Sequence, residues 1–507
     1  MKKVSQIKGG AILSYLSIGI SNLVAIVYTP LMIRLLGQSE YGLYTLVSSF
    51  VAYLGLMDFG FGSTYMRFYT QYKHTKDDKK VASLNGMFFL VFSIIGALAL
   101  VCGLVMCNYT NAIFGSKLTS KELETAHTLF ILLVISMAIS FPCKLFQVYI
   151  NANERFIFTK TVNIIKTVVN PFIMLPLLMM GYKSVAVVAM TLAYNIIIDI
   201  INIYYCFHIL KLKISFRNCE FSLLRGIMGF AFFVFLGEIV DEINWNVDKF
   251  ILGRTSGTIA VAVYGVASQI SMYYRQFSTA ISSVFIPRIN KIVAVDKDEN
   301  KSLTELMIRV GRIQYIVLGL IVTGFAFVGK SFCVLWAGPE YLDSYYITLV
   351  LILPSTIPLI QNIGVNALVA KNKHRFRSVL YFLISIFNVA LSIPLCIMWE
   401  GLGAAIGTAI AIIVGNGFII NWYYSKLGLD IGSFWKSILR LSKGMIIPLV
   451  LGIAMLIFDL PSNWLVLLGS IVVYAVFYLV SMYFLGFNEE EKGYIKTILS
   501  KFRRSKI

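Results

Sequence analysis

The sequence predicts an all-α integral membrane protein. About 14 transmembrane helices are expected, as two six-helix lobes related by a parallel internal repeat plus two C-terminal helices, with both termini cytoplasmic. Three observations predict this. Apolar stretches of about 20 residues recur along the chain, and backbone in lipid must satisfy its own hydrogen bonds, which a helix does within one segment. Lys and Arg gather in alternate connections. The first half of the chain resembles the second.

Taken in order, spans are expected near Ala11 to Ile33, Gly42 to Met66, Leu84 to Cys107, Ala126 to Ile150, Thr161 to Gly181 and Ser184 to Ile209. A second set runs near Gly226 to Val247, Ile259 to Phe285, Ile313 to Leu335, Tyr346 to Ala370, Ser378 to Trp399 and Leu402 to Tyr424. Two more follow, near Gly444 to Phe458 and Asn463 to Leu485. Lys2, Lys3 and Lys8 precede the first apolar run, which is too long for a signal-peptide core and reads as an uncleaved helix. With both termini inside, about 36 of the 44 Lys and Arg fall on the cytoplasmic side. The seventh span is the weakest, because its second half reads EIVDEINWNVDK; if it did not cross, every later basic loop would switch sides. The expected divisions are an N-terminal lobe at 1–210, a C-terminal lobe at 211–425, and residues 426–507 holding the last two helices and a basic tail.

Composition narrows the function classes. Hydrophobic residues make up 58% of the chain and charged residues 14%, against roughly 25% charged in soluble domains. The net charge of +19 is scattered through short loops. It fits positive-inside topology beside anionic membrane lipids, and no nucleic-acid partner is expected. Cys102, Cys107, Cys143, Cys206, Cys333 and Cys396 lie in or near apolar segments without a C-x-x-C pair, and read as small hydrophobes. His74, His127, His208 and His374 are dispersed, so neither a metal site nor a catalytic triad is expected, nor any bound cofactor.

The repeat is visible around two Leu-Gly pairs. IRLLGQSEYGLYTLVSSF starts at Ile33, and FILGRTSGTIAVAVYGVASQISM starts at Phe250. In each, Leu-Gly is expected to end a helix and Tyr-Gly (Tyr41-Gly42, Tyr264-Gly265) to open the next, with a link about seven residues longer in the second copy.

Ionisable groups inside spans are costly and mark bundle interiors or watery cavities. Four polar stripes share helical faces: Tyr44, Ser48, Gly55, Asp58 and Gly62; Thr191, Asn195, Asp199, Asn202 and Cys206; Glu238, Asp241, Glu242, Trp245 and Lys249; and Tyr264, Ser268, Ser271, Arg275, Ser278 and Ser282. Small polar residues can serve close packing alone. Arg275 is a mid-span cation with no acid on its own face, so it calls for a partner from another helix or an anionic ligand. Arg34 and Arg254 stand beside the Leu-Gly pairs, where anchoring a helix end is an equal reading. Lys144 and Lys166 read as snorkelling residues near loops. Asp58, Asp199, Glu238 and Asp241 are candidates for binding a coupling proton or sodium ion.

The segment YTPLMIRLLGQSEYGLYTLVSSFVAYLGLMDFGFGSTYMR, Tyr28 to Arg67, resembles the Wzx-type polysaccharide flippases of the multidrug/oligosaccharidyl-lipid/polysaccharide superfamily. The segment DKFILGRTSGTIAVAVYGVASQISMYYRQFSTAISSVFIP, Asp248 to Pro287, is similar to the same family's seventh and eighth helices. The resemblance implies a flippase of the bacterial cytoplasmic (inner) membrane. It would carry undecaprenyl-pyrophosphate-linked oligosaccharide to the outer leaflet by alternating access, for O-antigen, capsule or exopolysaccharide synthesis. It also implies a cationic cavity, for which Arg34, Arg254 and Arg275 are the cations in matching places, with Asn195, Asn202, Tyr264 and Ser268 as polar neighbours. Polysaccharide polymerase and assembly proteins are the candidate partners. The acidic seventh helix departs from a purely cationic lining and keeps a cation-coupled multidrug antiporter open. A lipid II flippase is a rival in cargo. A membrane enzyme is disfavoured, since no large external loop carries paired acids or clustered His.

Overall fold

The computed structural model describes residues 3–75, 77–114, 117–217, 222–371, 373–457 and 463–493; the side chains of some helical residues, Asp241 among them, lie outside the described set. Every regular element among the described residues is helical. Among them, ten helical segments are long and apolar enough to cross a membrane. Their outward faces carry large exposed apolar side chains, such as Phe172 (75% exposed) and Leu465 (84%). Water would not tolerate so much exposed apolar surface, but lipid does.

The chain divides into two compact units, residues 1–265 and 266–507. The first holds α1 (Lys3–Leu36), α2 (Gln38–Gly55), α3 (Phe61–His74), α4 (Asp78–Asn108), α5 (Thr110–Phe114), α6 (Ser120–Ala152), α7 (Phe156–Met179), α8 (Ser184–Tyr204), α9 (Ser222–Thr255) and the start of α10 (Thr258–Ser283). Helix α4 packs on α6, α6 on α8, α1 on α7, and α2 on α6 and α9. Tyr65, Phe88, Phe92, Phe141 and Leu145 form its buried core.

Two local expectations are corrected here. The second span is not one helix. After Gly55 a 3₁₀ turn (Leu56–Asp58) intervenes, and Phe59 and Gly60 adopt φ of 50° and 68° before α3 begins. Gly60 supplies a conformation that most residues resist, so Asp58 and Gly62 do not continue the stripe of Tyr44 and Ser48. The Leu-Gly links also differ from expectation. Gly37 alone separates α1 from α2, at φ 79°. At the second Leu-Gly pair the helix runs through Leu252-Gly253 to Thr255, and the left-handed glycine is Gly257, at φ 89°. The extra residues therefore mostly lengthen the helices, and the link grows only from Gly37 to Ser256-Gly257.

The second unit continues with α11 (Ile286–Val295), α12 (Glu299–Trp336), α13 (Asp343–Ile360), α14 (Asn362–Ala370), α15 (His374–Ile412), α16 (Asn421–Lys426), α17 (Ile431–Ser442), α18 (Ile446–Ile457) and α19 (Trp464–Ser481). Helix α15 breaks where Trp399 and Glu400 leave helical geometry, within an apolar segment of 51 residues (Phe376–Lys426). Helix α12 is the hub, touching α13, α17, α18 and α19. It begins 14 residues before the expected span start at Ile313. Arg312, one residue before that expected start, is helical and only 5% exposed. It donates from Nε and Nη2 to Glu491 (both 2.7 Å), from Nη1 to Ser437 O (3.0 Å) and Oγ (3.2 Å), and from Nη2 to Gly486 O (3.2 Å).

Candidate functional site

Charged and polar side chains meet inside the first unit where apolar helices would otherwise pack. Asp58, left buried by the break after α2, is met by Lys144 of α6, with Nζ to Oδ2 at 2.7 Å. Lys166 of α7 donates to Asn195 Oδ1 of α8 at 2.9 Å. One turn along α8, Asp199 accepts a hydrogen bond from the Cys143 thiol and lies within electrostatic reach of Lys166. Lys144 and Lys166 therefore do not snorkel to a membrane edge. Each turns toward a partner on another helix, because the cost of an unpaired charge at this depth exceeds that of ordering a lysine chain. Lys144, eight residues before the end of α6, and Lys166, ten residues after the start of α7, lie at similar depths, about 12–15 Å of helix rise from those ends. Asn202, also of α8, is buried.

A second polar group lies on α9. Tyr264 of α10 donates to Asp248 Oδ2 at 2.5 Å, and both residues are nearly fully buried. The Tyr264 hydroxyl, a candidate cargo contact, is thus engaged within the protein. Asn246 donates to Glu242 and accepts from Lys249 at 3.2 Å, so part of the acidic stripe is internally compensated. Glu238 is half-buried on the same helix, and the side chain of Asp241 lies outside the described residues. Arg34 and Arg254 occupy equivalent places, exposed in the last turns of α1 and α9, three residues before each left-handed glycine. In the second unit Ser268 and Arg275 are half-buried on α10.

One carboxylate missed from the sequence gathers three helices. Glu122, in the first turn of α6, forms a capping box with Thr119, its Oε2 accepting from Thr119 N and Oγ1 (both 2.8 Å). Its Oε1 accepts from Ser39 Oγ of α2 (2.6 Å) and Thr258 Oγ1 of α10 (2.7 Å). The T-x-x-E spacing signals the box in sequence, but nothing local signals the other two donors. Among the described residues no group of three His, Cys, Asp or Glu is placed to hold a metal ion.

Bilayer-length helices that carry charged and polar pairs in their interior define a multi-pass membrane protein. Its fold is that of known transporters. The structure of the lipid II flippase MurJ in an inward closed conformation matches 93% of this chain and 98% of its own, with a TM-score of 0.74 and 18% identity. An inward-facing multidrug resistance MATE family transporter of the MOP superfamily matches 84% of this chain and 99% of its own, at 0.63 and 14%. Residues 7–293 match the family described as polysaccharide biosynthesis protein, and the chain belongs to that family. A relative from Shigella flexneri named "Putative O-antigen transporter" is 24% identical over 417 residues, which cover 80% of this chain and 95% of the relative. The resemblance to the polysaccharide flippases is borne out at family level.

Proposed function

We propose that the protein flips undecaprenyl-pyrophosphate-linked oligosaccharide repeat units from the inner to the outer leaflet of the bacterial cytoplasmic membrane by alternating access, supplying surface polysaccharide synthesis. The observation that carries this reading is membership of the polysaccharide family, together with a relative named for O-antigen transport that matches along nearly its whole length. Polymerase and assembly proteins are the proposed partners. The topology has 14 spans and cytoplasmic termini: the 51-residue apolar segment, broken at Trp399 and Glu400, crosses twice, and α2, α9 and α10 cross beside the ten apolar segments. The lobes correspond to 1–210 and 211–425, with 426–507 as an appendix.

In this reading the pyrophosphate meets cationic side chains and the glycan meets polar ones. Arg34, Arg254, Arg275, Asn195, Asn202, Tyr264 and Ser268 are the proposed cargo residues, to which Lys144 and Lys166 are added because they hold charge inside the bundle. Both lysines are compensated in this structure, Lys144 by Asp58 and Lys166 by Asn195 and Asp199. An anionic head group would exchange with those partners, so no bare cation is left buried when the cargo departs. Asp58, Asp199, Glu238 and Asp241 are the proposed sites for a coupling proton or sodium ion.

The test is lipid extraction from the host after depletion of the protein. Accumulated polyprenyl-pyrophosphate oligosaccharide, with loss of surface polysaccharide, is the expected result, and its mass separates a polysaccharide unit from a peptidoglycan precursor. A second reading, a cation-coupled antiporter, is favoured by the acids on α9 and by the MATE-like fold. An unchanged lipid pool with altered sensitivity to cationic drugs would select it.

A further inference from the structure

Ordinary capping boxes saturate one helix start. At Glu122 the same carboxylate accepts four hydrogen bonds, which fills its acceptor capacity. Two of the donors come from the first residues of α2 and α10, the two helices that follow the left-handed glycines. The Ser39 and Thr258 hydroxyls lie 3.4 Å apart. One turn further into α2, the backbones nearly touch: a Cβ on Gly42 would fall 1.9 Å from Thr258 O. Farther along the same seam, a Cβ on Gly265 would meet Thr45 at 3.2 Å. On its other flank, the start of α2 is tied to α8, where Glu40 accepts from Ser184 and pairs with Lys183 at 3.6 Å. A cavity of about 350 Å³, lined by Ser39, Glu40, Lys121, Glu122 and Lys183 among others, lies beside these bonds, so water can reach the hydroxyls once they part.

We propose that Ser39, Glu122 and Thr258 form a clasp that closes the α2–α10 seam at its glycine-turn end, and that its release is an obligatory step of the transport cycle. Hydroxyls on a carboxylate suit such a role. They exchange for water without leaving a bare charge in lipid, whereas an apolar seam would stay shut. The direction and cargo of transport rest on the flippase reading, but the opening of the seam does not.

The test uses Thr45→Cys, a half-buried position on the seam. Its labelling by a membrane-impermeant maleimide is read by peptide mass. Ser39→Ala with Thr258→Val leaves the Thr119–Glu122 box intact and is expected to raise labelling roughly tenfold; Glu122→Ala should do at least as much. In a separate chain, Ser39→Cys with Thr258→Cys should form a disulfide under oxidant, suppress labelling at position 45, and stop transport until reduced. Unchanged labelling in the hydroxyl-free variant, or undiminished transport through the cross-linked chain, would overturn the clasp. Labelling that follows the clasp in a host whose lipid pool ignores depletion would keep the clasp and remove the flippase reading.

Discussion

Glu491→Gln should unsettle the second unit more than any surface change, because it strips Arg312 of its counter-charge without letting it reach water. Arg312 is 5% exposed and uses Nε and Nη2 as a fork on the Glu491 carboxylate, both at 2.7 Å. Its remaining bonds go to Ser437 and Gly486, which pins α12 to the middle of α17 and to the segment after α19. Breaking a buried pair by removing one partner costs about 3–5 kcal/mol. Glutamine keeps one acceptor oxygen, so about 3 kcal/mol is expected, and alanine should approach 5. For a unit of this size, 3 kcal/mol corresponds to roughly 6–12 °C in unfolding midpoint. The assay is thermal unfolding of the detergent-solubilised protein at fixed scan rate, since membrane proteins often unfold irreversibly. Arg312→Met with Glu491→Met should recover most of the loss, because the desolvation cost disappears with both charges. An unshifted midpoint for Glu491→Gln, or a double variant as unstable as the single, would refute the reasoning.

Other outcomes follow from the first unit. Lys144→Met leaves Asp58 buried with its partner removed and should cost roughly 1–3 kcal/mol, less than a fully buried pair because Lys144 keeps 36% of its side chain exposed; adding Asp58→Asn should restore part of the thermal midpoint. Tyr264→Phe removes a donor from buried Asp248 and should cost about 1–3 kcal/mol by the same measurement. Gly42→Ala places a methyl against backbone that cannot yield as a side chain would, so about 1–3 kcal/mol of strain is expected; it should also raise maleimide labelling of Thr45→Cys.

Which features were legible in the sequence follows from how local their causes are. Span positions came through because hydropathy acts within one segment: the expected Ala126 to Ile150 lies inside α6, and Thr161 to Gly181 follows α7 closely. Gly37 was legible as a helix end because a left-handed residue is best served by glycine. Gly257 was not, since Leu252-Gly253 imitated the first motif while the helix ran on. The polar stripe on α8 was visible from spacing, but the partners of Asn195 and Asp199 come from α7 and α6, and no periodicity within α8 points to Lys166 or Cys143. The pairing of Arg312 was not legible, because nothing near it in sequence points to Glu491, 179 residues away. Glu122 belongs to the same class. Its capping box is local, whereas its bonds to Ser39 and Thr258 exist only in the folded chain.

The glycine turns carry a consequence for how the two hairpins can differ in length. Relative to the first hairpin, the second gains four residues between its Leu-Gly pair and its turn glycine, and three between that glycine and Tyr264. Each increment is close to the 3.6 residues of a helical turn. Whole-turn insertions lengthen a hairpin arm while returning every later side chain to nearly its former azimuth. Insertions of one or two residues would rotate the arm's entire face away from its neighbours. Steps of one helical turn therefore let the two hairpins differ in reach while presenting nearly the same faces.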